Sequence, residues 1–117
     1  MPKGRIPELF ALVDRLRAGS RLLIPAFGHV GDGNIHVNIM VDANDPDTNA
    51  RVAATEQALF EGVVALEGSV TGEHGVGFRK AKYLPLEVSP ETIAVMRRVK
   101  QAFDPKGLLN PGKIFAD

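Results

Sequence analysis

Gly28-His29-Val30-Gly31-Asp32-Gly33-Asn34-Ile35-His36-Val37-Asn38 sets a Gly-Asp-Gly turn between two apolar runs, residues 21–30 (RLLIPAFGHV) and 34–41 (NIHVNIMV). Asp-Gly is a preferred two-residue hairpin turn because both positions accept positive φ, so the runs predict two antiparallel strands joined at Asp32-Gly33. That turn sets His29 directly opposite His36, with β-carbons about 4.5–5.5 Å apart on one face. Strand periodicity adds Phe27 and Asn38 to this face and turns Ala26, Gly28, Val30, Ile35, Val37, Ile39 and Val41 to the other. One face suits a core and the other is polar.

Two imidazoles at that separation can share one metal ion, although paired histidines also decorate ordinary solvated sheets. The third of the three histidines lies in Gly72-Glu73-His74-Gly75-Val76-Gly77, beside a carboxylate and between glycines that allow close backbone approach. Two histidines and a carboxylate form a nitrogen–oxygen ligand set suited to zinc, manganese or iron, with positions left for substrate. A solvated loop is the plainer reading of Glu73 and His74. A phosphate-cradling loop is a poor one, because no strand–GxGxxG–helix context surrounds the glycines.

The rest of the chain frames this hairpin. Ile6, Leu9, Phe10, Val13 and Leu16 recur at helical spacing over residues 5–18, with Gly19 as a stop. Asp45 and Pro46 read as N-cap and first-turn proline of a second helix over 47–67, ending at Gly68. Residues 69–71 suit a short strand. Ser89-Pro90 opens a third helix with Ile93, Met96, Val99 and Phe103 on one stripe, stopping near Asp104-Pro105, and residues 106–117 form a looping tail. The predicted fold is α+β, an antiparallel sheet with helices on one face, similar to a ferredoxin-like β-α-β-β-α-β unit that lacks its first strand. The missing strand leaves a sheet edge open, a condition that invites pairing with another chain, including a second copy in a homo-oligomer.

Composition removes several function classes. With 14 basic and 14 acidic residues the chain of 117 carries no net charge, which argues against nucleic acid or an acidic membrane surface as partner. The absence of cysteine excludes disulfides, thiolate metal sites and cysteine nucleophiles. No apolar run has the length of a membrane span or the form of a secretory signal, so a cytoplasmic setting is expected. The length allows one domain and not a cofactor domain besides.

Taken together, the hairpin motif, Gly72-Glu73-His74-Gly75 and Asn110-Pro111-Gly112-Lys113 resemble, in that order, the C-terminal domain of FAD-linked oxidases, a family that includes glycolate oxidase flavoprotein subunits, D-lactate dehydrogenases and D-2-hydroxyglutarate dehydrogenases. The resemblance covers essentially all of the chain after the first helix. It implies that residues 1–117 are the C-terminal domain of an FAD-dependent enzyme oxidising a small 2-hydroxy acid to the 2-oxo acid, with the FAD-binding domain or subunit, and the basic residues that clamp the substrate carboxylate, outside the chain. It implies His29, His36 and Glu73 as ligands of a divalent metal, His74 as the catalytic base in contact with substrate, Asn38 as a substrate contact and Asn110 as a residue on the cofactor side. On this reading the chain is a fragment, a separately encoded piece or a truncated product. A stand-alone metal-binding or interaction module and an inert fragment are the competing readings.

Overall fold

The computed structural model describes residues 1–116, which divide into two compact units, residues 1–72 and residues 73–116. The first unit runs α1 (Ile6–Ser20), β1 (Ala26–His29), β2 (Asn34–Val37) and α2 (Thr48–Ala65). The second holds α3 (Leu84–Glu87), α4 (Pro90–Phe103) and a looped tail. An antiparallel sheet with four helices is the α+β class that the sequence predicts. No described helix is long and apolar enough to cross a membrane.

The hairpin differs in register from the two-residue turn expected. Phe27 pairs with His36 and His29 with Asn34, and a 3-10 turn over Val30–Asp32 joins the strands, with Gly33 left-handed at φ 69°. The Gly33 N–H donates to the Val30 carbonyl at 3.1 Å, so the connection closes as a helical turn rather than a primed two-residue turn. A shift of two positions keeps each side chain of the paired residues on its predicted face, because strand periodicity is two. The ladder continues beyond the strands, where Asn38 N–H donates to the Pro25 carbonyl at 3.0 Å and Met40 N–H to the Leu23 carbonyl at 2.9 Å.

The apolar face of the hairpin meets α1 and α2. Leu9 and Val13 of α1, Leu22 and Ile24 before β1, and Leu59 of α2 form the buried centre, with Ala26, Ile35, Val37 and Ile39 packed around it. Val13 and Ile24 are wholly excluded from solvent, each worth about 1.5–3 kcal/mol of apolar burial. Val30 and Val41, assigned to this face from periodicity, lie past the paired region and stay exposed, and Phe10 sits at the rim of α1.

Helix ends also depart from expectation in detail. Gly19 does not stop α1; the helix continues to Ser20, and Arg21 takes the left-handed position at φ 58° with its N–H on the Arg17 carbonyl. Asp45 is not the N-cap of α2. Asp47 holds that position without a side-chain cap, while the Asp45 carboxylate accepts the Asp47 N–H and pairs with Arg51. At the far end of α2, Gly68 N–H reaches the Val63 carbonyl at 2.8 Å and Glu67 N–H the Val64 carbonyl at 2.9 Å, the paired bonds of a Schellman stop.

In the second unit Ser89 caps α4 as predicted, its hydroxyl accepting the Thr92 N–H at 3.3 Å with Pro90 in the first turn. No residue of α4 is buried: Ile93 and Met96 are half-buried, whereas Val99 and Phe103 of the same stripe are exposed. Residues 69–71 form no strand, and the short helix α3 with the 3-10 turn Ala81–Tyr83 was not foreseen.

Candidate functional site

His29 and His36 project from the face of the hairpin opposite the core. Their ring centroids are 6.1 Å apart and the planes cross at 74°, with His29 at the exposed end of β1 and His36 half-buried within β2. The two are diagonal neighbours, since Phe27 lies opposite His36 and stacks on it at 5.5 Å between centroids. A zinc–imidazole bond of about 2.0–2.1 Å puts two ligating rings roughly 5 Å apart between centroids, about 1 Å less than the separation of this pair. The donor set therefore fits a divalent metal. Asn38 follows β2 by one residue, on the same face by strand alternation, and is exposed.

Glycines shape the hairpin around the pair. Gly28 has φ 149°, and a β-carbon there would stand 2.6 Å from the Asn34 carbonyl oxygen, so the strands approach more closely at this point than a side chain permits. A β-carbon at Gly72 would run into the Asn34 amide, so the backbone directly before Glu73 rests against the first residue of β2.

Within the second unit Glu73 and His74 touch each other. His74 Nε2 lies 3.2 Å from Glu73 Oε1, and both side chains are exposed, His74 by 77% and Glu73 by 47%. A neutral imidazole that carries its hydrogen on Nε2, beside the carboxylate, keeps its lone pair on Nδ1. A carboxylate has a second oxygen, so this contact is compatible with a further role for Glu73. The left-handed Gly75 and Gly77, at φ 74° and 56°, let the chain turn sharply after the pair.

Asn110 lies in the tail, in a left-handed conformation at φ 45° and exposed. The tail is tied by contacts that the sequence did not disclose. Asp104, 8% exposed, accepts the N–H groups of Leu108 and Leu109, each at 2.9 Å, and pairs with Lys100. The Lys100 ammonium and the Leu109 N–H hold the Asp104 carboxyl below its ordinary range, against the opposing effect of burial. Arg97 stacks over Phe115 at 4.6 Å and donates to the Ala116 carbonyl, and Ile114 N–H donates to the Gly77 carbonyl at 2.6 Å. Around Asn110 these contacts frame an open cleft of about 220 Å³ lined by Arg97, Lys100 and Lys113.

Comparison with known proteins supports the resemblance. The family model "FAD linked oxidases, C-terminal domain" matches residues 1–114. The chain is 40% identical over 116 residues to the glycolate oxidase subunit GlcD of Bacillus subtilis, covering 99% of this chain and 25% of that protein. It is 49% identical over 118 residues to the D-2-hydroxyglutarate dehydrogenase of Stutzerimonas stutzeri, covering 97% of this chain and 25% of that protein. With a probable mitochondrial D-lactate dehydrogenase of Danio rerio the identity is 39%, over 97% of this chain and 23% of the relative. The chain thus spans about a quarter of the length of the curated relatives it matches. A match over all but the last three residues places this chain in the family of FAD-linked oxidases, as a C-terminal domain.

Proposed function

We propose that residues 1–117 are the metal- and substrate-binding C-terminal part of an FAD-dependent enzyme that oxidises a small 2-hydroxy acid to the 2-oxo acid. The observation that carries the reading is the pair of imidazoles on one face of the hairpin, in a chain of this family. Relatives named as glycolate oxidase subunit, D-lactate dehydrogenase and D-2-hydroxyglutarate dehydrogenase all act on acids of this class by name.

In this reading His29, His36 and Glu73 would hold a divalent ion of zinc, manganese or iron type, and the chemistry it would supply there is Lewis-acid polarisation of the substrate. His74 accepts the hydroxyl proton on the ring nitrogen not engaged by Glu73, whose Oε1 stands 3.2 Å from Nε2. Asn38 hydrogen-bonds the substrate from the imidazole face. FAD supplies the two-electron acceptor and is bound mainly by a domain or subunit outside this chain, with Asn110 on the side facing it.

The test is metal removal from a flavin-containing protein that carries this segment. Chelation should abolish flavin reduction by the 2-hydroxy acid, and resupply of the divalent ion should restore it. Undiminished flavin reduction by thoroughly metal-free protein contradicts the reading.

A further inference from the structure

The two edges of the hairpin are not equivalent. The ladder bonds at Leu23–Met40 and Pro25–Asn38 show that residues 23 and 25 turn their backbone groups toward the partner strand, and residues 22 and 24 turn theirs to the outer side of β1. That outer side is occupied. The Arg17 guanidinium donates twice to the Ile24 carbonyl, at 2.9 and 2.5 Å, and the Leu22 N–H is taken by the Ser20 hydroxyl at 3.2 Å. The end of α1 thereby closes this edge.

The outer edge of β2 has no such cover. By the same alternation Ile35, Val37 and Ile39 point N–H and C=O away from β1, and among the described residues no hydrogen bond reaches these groups. Residues 34–41 contain no charged residue and no proline, the devices by which exposed edges resist pairing. An edge without them is normally covered. Topology says by what. In a split β-α-β unit two parallel strands flank a third, so a strand preceding α1 would lie parallel to β1 with β2 between them, on the open edge. The same slot would give residues 69–71, which follow α2 and form no strand, a neighbour to pair with.

We propose that the outer edge of β2 receives an extended segment, antiparallel to β2, from the part of the longer polypeptide that the relatives carry and this chain does not span. Some three quarters of those relatives lie outside the match, so length for such a strand is at hand. The segment alternates, placing apolar side chains beside Ile35, Val37 and Ile39 on the core of α1 and α2 and its other residues on the imidazole face. The inference requires no metal, so it stands or falls separately from the proposed reaction.

Amide hydrogen exchange of the 117-residue chain tests it. In dilute solution Asn38 and Met40 should be protected while Ile35, Val37 and Ile39 exchange rapidly. A synthetic peptide copying the segment that directly precedes the matched stretch in the Stutzerimonas stutzeri relative should slow those three amides at least about tenfold, the effect of about 1.4 kcal/mol of added hydrogen-bond stability. Val37→Pro removes one outward N–H and leaves the Asn38 and Met40 ladder bonds, so it should weaken the peptide effect while those two amides remain protected. If Val37→Pro unfolds, Ile39→Pro, at the end of the ladder, serves the same purpose. Three results would overturn the proposal: protection of the three amides in the dilute chain alone, protection that grows with chain concentration and so marks a second copy, or a peptide effect that is absent or survives the proline variant.

Discussion

His29 and His36 share one face of the hairpin as diagonal neighbours, 6.1 Å apart between ring centroids, with His29 facing Asn34 and His36 facing Phe27 across the ladder. The arrangement depends on the close approach of the strands at Gly28, whose φ of 149° and near contact with the Asn34 carbonyl exclude a side chain.

Gly28→Ala is therefore expected to destabilise the chain by about 1–3 kcal/mol through overpacking against backbone, with added strain at positive φ. Gly31→Ala, where nothing lies within 4 Å of the new carbon, should change stability by no more than about 0.5 kcal/mol. Denaturant unfolding of the two variants measures the contrast, and equal effects would show that the hairpin is not closed as described.

Asp104 makes the tail sensitive to acid. Its carboxyl is held below the ordinary range by Lys100 and the Leu109 N–H. A carboxyl lowered in the folded state contributes stability that is fully present above the unfolded pKa and is lost as pH falls through the folded one. Exchange of the Leu108 and Leu109 amides should accelerate beyond its intrinsic pH dependence only in acid below the usual aspartate range. Asp104→Asn should show fast exchange at neutral pH, and an unchanged rate in that variant would remove Asp104 as the clasp.

His74 is expected to act as a base and not as a ligand. In a flavin-containing protein carrying this segment, His74→Ala should lower the rate of substrate oxidation by roughly 10²–10⁴-fold, the usual contribution of a positioned base. Metal content should stay the same. A variant that loses its metal, and regains turnover when metal is supplied in excess, would make His74 a ligand.

The sequence shows the faces of the hairpin better than its register. Parity alone assigns His29, His36 and the core residues Ala26, Ile35, Val37 and Ile39 to their sides, and parity survives a two-position slip. The slip itself was hidden, because Gly31-Asp32-Gly33 satisfies a two-residue turn as readily as the 3-10 turn that forms. The cap at Ser89 was legible from local chemistry, whereas Asp45 lost its cap role to a pairing with Arg51, and the left-handed position that ends α2 fell to Glu67, at φ 58°, rather than to Gly68. Residues 69–71 read as a strand by composition, but a strand exists only with a neighbour, and among the described residues none pairs with them as one. Asp104 could have been suspected as an acidic residue ending a helix four positions after Lys100, yet its hold on Leu108 and Leu109 is a property of the folded tail. The roles of Glu73, His74, Asn38 and Asn110 came from resemblance and not from spacing.

The most direct measurement is the divalent-metal stoichiometry of the purified chain and its variants, by equilibrium dialysis against zinc and manganese with elemental detection. The account predicts about one ion per wild-type chain, since two imidazoles and one carboxylate make a single site, and weaker binding in acid because protonated imidazole cannot ligate. His29→Ala, His36→Ala and Glu73→Gln should each lower affinity at least about tenfold, while His74→Ala should not. Unchanged stoichiometry and affinity in His29→Ala and His36→Ala would contradict the site.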